Sequence, residues 1–301
     1  MKLLRAGLKW ICVICVCQLT GYGQTNRLEI RQDSIPLSEL EKSAQAGNME
    51  AMLQLADMYE RGQGVKQNYA EAFRWFQQTA EKGNPNGQFR EGYFYYKGRG
   101  VAQDYKKAIE CFKMAARGGN PEAQVMLGDI YIHGLGVDKN EAQAFHCFKT
   151  AADQNDPAAQ YFLGQCLKLG VGTKTNEIEA FKWYEKSAKN GFAKAQDQLG
   201  EMYLSGNNAS KNLEKAYYWF EKAALQGNPH SQMALGLIFG LSGDLVESYK
   251  WFYLTKQKNI DMFEVGLETM RKMGVIFTPE QMTLGQSRAE EFSSTNRPVI
   301  K

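Results

Sequence analysis

The sequence predicts an all-α chain of stacked antiparallel helix pairs, an α-solenoid, and three observations carry that prediction. A 36-residue pattern recurs almost without slippage, with copies starting at Asn48, Asn84, Asn120, Asp156, Phe192 and Asn228. Each copy holds two segments with apolar residues at helical spacing, separated by a glycine-rich turn. Small and aromatic residues return at the same places in every copy, as in units that bury their faces only against one another. Such a stack offers a surface rather than a reaction centre, so the expectation moves from enzyme toward binding scaffold.

The first helix of a unit is read from Ala51, Leu55, Ala56 and Tyr59, which form one stripe of a helix running from about Met49 to Gly62. Gly62 and its equivalents Gly98, Gly134, Gly170 and Gly206 end this helix in the left-handed conformation that glycine adopts cheaply. A G-x-G-V turn follows, as in Gly62-Gln63-Gly64-Val65 and Gly98-Arg99-Gly100-Val101, with the valine expected to tuck into the core. The second helix spans about Tyr69 to Glu81, with Ala72, Phe76 and Ala80 inward. One small-residue column runs through Ala51, Gly87, Ala123, Ala159 and Ala195, and another through Gly92, Gly128, Gly164, Gly200 and Gly236. Their large partner is the column Phe76, Phe112, Phe148, Tyr184, Phe220 and Phe252. Gly83, Gly119, Gly191 and Gly227 close the second helices, and Asn155 takes that place in the third unit, asparagine being the next best residue for a left-handed backbone.

The ends are read differently. Lys2, Arg5 and Lys9, the apolar run Trp10 to Leu19, and Gly21-Tyr22-Gly23 make residues 1–23 an expected export signal, too short to span a bilayer comfortably. An uncleaved anchor is the alternative. Acylation fits poorly, since Cys12, Cys15 and Cys17 follow Ile11, Ile14 and Val16. Residues 24–35 read as a flexible leader and 36–47 as an N-terminal capping half-unit. The span 48–260 holds five full units and a shortened sixth, 261–292 is expected to form C-terminal capping helices, and 293–301 a frayed tail. In the capping region Phe263, Leu267 and Met270 suit one helix, and Thr278-Pro279-Glu280-Gln281 is a start signal for another.

At 44% hydrophobic and 23% charged residues the chain is expected to fold. Removing the signal takes three of 36 basic residues and leaves 33 against 33 acidic ones, which gives no general attraction to nucleic acid or anionic lipid. Outside the signal, Cys111, Cys147 and Cys166 are an odd set, and the first two hold equivalent places in neighbouring units, about 10 Å apart by usual helix packing. A disulfide needs Cα atoms within about 7 Å. All three therefore read as buried small hydrophobes.

The pattern A-x-x-x-L-G-x-x-Y-x-x-G-x-G-V followed by K-A-x-x-W-x-x-K-A-A-x-x-G, present as AQVMLGDIYIHGLGV from Ala123 and KAYYWFEKAALQG from Lys215, resembles the Sel1-like repeat, a relative of the tetratricopeptide repeat. The match covers about three quarters of the chain. The resemblance implies a right-handed α-solenoid whose concave face binds other proteins, with no cofactor. Some cysteine-rich relatives are linked to β-lactam binding, but they carry a disulfide within each unit, and this chain has no such pairs.

Motifs for chemistry are sparse. His133, His146 and His230 lie in different units, spell no metal site and read as solvent-facing or loop residues. No nucleophile elbow, zinc-protease or phosphate-loop motif occurs, and the recurring G-x-G-V glycines are turn glycines. Glu91 stands out, because Leu55, Leu127, Leu163, Leu199 and Leu235 fill its place elsewhere; it is either a polar contact in a groove, or exposed by local rotation, or satisfied by Arg90 or Lys113. On the first helices, Phe89, Arg90, Tyr93, Tyr96, Met126, Asp129, Tyr161, Phe162 and Gln165 vary between the fixed positions. Aromatic residues and arginine are enriched at interface hot spots. The expected partner site on the concave face is therefore Phe89, Arg90, Tyr93, Tyr96, Asp129, Tyr161 and Gln165, with inter-unit packing as the alternative role for the aromatics. The resulting expectation is an exported, periplasmic or secreted, monomeric scaffold for a protein partner, without enzymatic activity. Cell-wall glycan binding is the second reading and β-lactam hydrolysis the third.

Overall fold

The computed structural model describes residues 36–206 and 210–295. The export signal and leader expected at 1–35 lie outside the described residues. Fifteen α-helices and no strand occur among those described. Contacts divide the chain into two compact units, the first ending at Lys139 and the second beginning at Asn140.

The first unit holds α1 (Leu37–Gln45), α2 (Met49–Arg61), α3 (Tyr69–Glu81), α4 (Pro85–Lys97), α5 (Tyr105–Arg117) and α6 (Pro121–His133), each packed on the next. The second holds α7 (Glu141–Asp153), α8 (Pro157–Leu169), α9 (Glu177–Lys189), α10 (Ala193–Ser205), α11 (Leu213–Leu225), α12 (Pro229–Ser242) and α13 (Leu245–Lys256), again packed in series. There α14 (Ile260–Lys272) and α15 (Pro279–Thr295) both pack on α13, so α15 runs slightly past the Phe292 expected from sequence. The chain is an all-α solenoid of repeats: short links between helices force neighbours to run antiparallel, and within each unit a helix contacts its neighbours in sequence.

The helix starts are fixed by a register of small polar caps. Asn48, Asn68, Asn84, Asp104, Asn120, Asn140, Asp156, Asn176, Asn212, Asn228, Asp244 and Asn259 each accept a backbone N–H of the first turn through the side chain. Such a cap contributes about 0.5–2 kcal/mol over alanine. Thr278 caps α15 in the reciprocal arrangement, its Oγ1 accepting from Gln281 N while Gln281 Oε1 accepts from Thr278 N. Pro36 and Phe192 give no side-chain cap; the Phe192 ring lies 5.4 Å from that of Tyr161 instead.

Close approach of paired helices rests on the glycine and aromatic columns. A Cβ on Gly92 would lie 2.9 Å from the Phe112 ring, on Gly164 2.8 Å from Tyr184, on Gly200 2.6 Å from Phe220 and on Gly236 2.8 Å from Phe252. Phe76, Phe112, Tyr184, Phe220 and Phe252 are accordingly buried to 1% exposure or less. The first turn glycine is left-handed at Gly62, Gly98, Gly134, Gly170 and Gly206. The second has a further role: a Cβ on Gly100 would come 2.4 Å from the Tyr69 carbonyl carbon, and one on Gly172 2.1 Å from the Glu141 carbonyl oxygen. These glycines seat each turn against the second helix of the preceding repeat. Asn155 adopts φ +65°, the only positive-φ non-glycine among the described residues. The turn valines vary more than expected: Val101 packs on the first core cluster, whereas Val137 is exposed.

A glutamine column missing from the sequence reading also ties repeats together. Buried Gln196 and Gln232 donate through Nε2 to the carbonyls of Ala188 and Ala224, at 3.1 and 3.2 Å. Gln226 donates to Gln196 Oε1 and Asn190 to Gln160 Oε1. Cys111, Cys147 and Cys166 are buried and unbridged.

Candidate partner-binding face

Within each unit, the first helices of the repeats carry side chains 36 residues apart in equivalent places. In the first unit these start on α2. Asp57 and Glu60 flank the Arg90 guanidinium of α4, Asp57 at 3.0 Å and Glu60 in direct contact. Arg90 also lies over the Phe76 ring at 4.7 Å. Arg99, in the turn after α4, reaches Glu60 at 3.4 Å and covers the rings of Tyr69 and Tyr93 at 5.7 and 5.8 Å. Lys97 Nζ lies over Tyr93 at 5.8 Å and Tyr96 at 5.0 Å. The Tyr96 hydroxyl donates to Asp129 Oδ2 at 2.9 Å, and His133 Nδ1 lies 3.1 Å from Asp129 Oδ1.

Burial orders this network. Burial raises the Asp129 carboxyl above its usual range, against the stabilising Tyr96 hydroxyl and His133. Burial and then the Asp129 charge push the Tyr96 hydroxyl well up, so Tyr96 stays a donor. Tyr93 is raised by burial as well. Of the expected site residues, Phe89, Tyr93, Asp129 and Tyr161 are buried, whereas Arg90, Tyr96 and Gln165 are half-buried. The structure joins Tyr96 to Asp129 and Phe89 to Tyr93, and Gln165 donates to the Tyr161 hydroxyl at 2.7 Å. Phe89 packs on Phe112 and Tyr161 on Tyr184, so these two rings belong largely to packing between helices.

In the second unit the corresponding first-helix side chains include Tyr161, Gln165 and Lys168, whose Nζ is 3.4 Å from Gln198 Oε1. On α10 and α12, His230 Nδ1 meets Asp197 Oδ1 at 2.8 Å, His230 Nε2 lies 3.6 Å from Glu201, and the Ser231 hydroxyl donates to the same Asp197 oxygen. Burial alone would lower the His230 pKa, but Asp197 and then Glu201 raise it to about 9, so the ring is an imidazolium bridging two repeats. Both carboxylates are spent on this cation, and Ser231 bonds Asp197 rather than the histidine, so the group is not a nucleophilic triad.

Two readings of the sequence are corrected here. His230 is a half-buried, ion-paired helix residue rather than a solvent-facing or loop one, whereas His133 and His146 are exposed as expected, His133 while also contacting Asp129. Glu91 is buried, and its carboxyl takes a hydrogen bond from the Cys111 thiol rather than pairing with Arg90 or Lys113. Burial raises the Glu91 pKa, with the nearby Glu81 charge adding to it. Burial and Glu91 push the Cys111 thiol up to about 12, which makes it inert. Asp57, Glu60, Lys97 and Arg99 were overlooked; the signal available for them was their shared place, at 36-residue spacing, with Tyr93, Tyr96, His133 and the turn. No group of three or more metal-type side chains occurs among the described residues.

The family model of the Sel1 repeat matches residues 50–84, 85–120, 121–156, 157–192, 193–228 and 229–258. The chain belongs to the Sel1 repeat family. Among solved structures, this Sel1 repeat chain is similar to a Sel1 repeat protein from Oxalobacter formigenes, at 29% identity and TM-score 0.63, over 78% of this chain and 99% of that one. It is also similar to a protective antigen of uropathogenic Escherichia coli with an SLR fold, at 27% identity and TM-score 0.52, over 87% of this chain and 64% of that one. An immunity protein from Pseudomonas aeruginosa shares the fold at 15% identity and TM-score 0.52, over 83% of each chain. Comparison with the curated proteins gives no significant match.

Proposed function

We propose that this Sel1 repeat protein is an exported scaffold that holds a protein partner on the concave face of its solenoid, the face carrying the first helices of the repeats. The observation behind this is found within each unit: first-helix polar and aromatic side chains, Asp57 to Asp129 in the first and Tyr161 with Gln165 in the second, are pre-positioned by hydrogen bonds and ion pairs. Side chains already held in one geometry lose little freedom when a partner docks. Tyr96, Arg90 and Gln165 make the contacts, while Phe89, Tyr93, Asp129 and Tyr161 form the packed floor that fixes them. Export rests on residues 1–23, and no described helix is long and apolar enough to cross a membrane.

The test is partner retention after crosslinking in the native envelope. Tyr96→Ala combined with Gln165→Ala should reduce recovery of the crosslinked protein at least about tenfold while helix content by circular dichroism is unchanged. Full retention by this folded variant would remove these side chains from the binding site.

A further inference from the structure

The first unit layers its charges in a way that indicates what chemistry the partner presents. Rings and cations alternate along one strip: Tyr69, Arg99, Tyr93, Lys97, Tyr96 and Tyr105, with Tyr96 and Tyr105 5.6 Å apart. The acidic groups lie beneath. Asp57, Glu60 and Asp129 have side chains only 14, 11 and 10% exposed, and they are engaged by Arg90, by Arg99, and by Tyr96 with His133. The cations lie outside: Lys97 is exposed, Arg99 is 36% exposed, and no carboxylate among the described residues comes within ion-pair distance of Lys97. Arg61, one repeat earlier at the place of Lys97, is exposed too.

The ring faces bear on the choice of ligand. Tyr93 and Tyr96 are covered by Lys97 and Arg99, so their faces are not open for stacking on a sugar ring. A cation held over a ring is fixed in place and keeps its outer side for an anion. Equivalent positions in successive repeats lie about 10 Å apart. An extended chain rises about 3.3 Å per residue. Three residues of an extended peptide therefore span one repeat.

We propose that this strip receives an extended acidic segment of the protein partner, with one carboxylate meeting Arg61 and another, three residues along, meeting Lys97 and Arg99 together one repeat on. This rests on the reading of the first-helix row as a docking face. It adds the partner's charge, conformation and spacing.

The probe is a fluorescein-labelled peptide, Asp-Gly-Ser-Asp-Gly-Ser-Asp, followed by fluorescence anisotropy with the purified full chain. Binding is expected to weaken with added salt. It is expected to fall at least about tenfold in Lys97→Glu and in Arg61→Glu, both at exposed positions, and to be unchanged in Lys186→Glu on α9. Failure of the acidic peptide to bind, equal binding of the same peptide with lysine for aspartate, or equal loss in Lys186→Glu would overturn the proposal. Crosslinking separates its failure from that of the docking face. A native partner attached at the first-helix row and retained by Lys97→Glu contradicts the acidic segment alone. A partner attached only through the second helices contradicts both.

Discussion

At the scale of single residues, one substitution in a repeating column reveals more than the column itself. Five repeats place leucine where the second places Glu91, and the fold keeps the carboxyl buried against a thiol. A thiol is a weak donor and compensates a carboxylate poorly. The acid is therefore held more readily as the neutral form. For an acid whose folded pKa is raised, the folded state binds the extra proton, so stability is lost as pH climbs from the ordinary 4.5 to the raised value and is level above it. Urea unfolding between pH 4 and pH 8 should show that loss in the parent. Glu91→Leu should reduce it, the remainder belonging to Asp129, Glu201 and His230, whose pKa values are also raised, and should stabilise the protein at pH 8 by about 1–3 kcal/mol. A variant with an undiminished slope would place the titrating group elsewhere. The sequence marked Glu91 as anomalous but did not name its partner, because Cys111 is brought to it only by the pairing of α4 and α5. His230 shows the same gap: Asp197 and Glu201 lie one repeat before it, and only the stacking of α12 near α10 makes them one ion-paired group.

Among elements, local signals specified the helices and their turns, and this part of the fold was legible in advance. Glycine at positive φ, asparagine at Asn155 and the glycine–aromatic columns all follow from steric rules that act over a few residues. The cap register of asparagine and aspartate was equally present in the sequence and was overlooked except at Thr278. What local rules did not show is that some turn glycines seat their turn on the preceding repeat. Gly172 and Gly191 test the distinction. Both have positive φ, at +66° and +89°, but a Cβ on Gly191 meets nothing within 4 Å, whereas one on Gly172 meets the Glu141 backbone at 2.1 Å. Gly191→Ala should cost only the left-handed strain, about 1–2 kcal/mol. Gly172→Ala should cost that and about 1–3 kcal/mol more for displaced backbone. Equal midpoints in thermal unfolding would mean that Gly172 acts as a turn residue only.

For the whole molecule, the consequence of repetition is that function lies in what the repeats do not share. Fixed positions build the stack. The positions between them vary: Asp57, Tyr93, Asp129, Gln165 and Glu201 hold one place in the repeat with four residue types. The sequence identified part of this variable set from its aromatic and arginine content. It could not distinguish rings that present surface from rings that fill space, since Tyr93 and Tyr96 stand three residues apart on α4 and end with different burial. The most direct test of a scaffold that binds through its first helices is site-specific photocrosslinking in native cells, with the reactive group placed at Lys97 on α4 or at Lys186 on α9. A partner attached from position 97 and absent from position 186 is the expected result; attachment from 186 alone would contradict it.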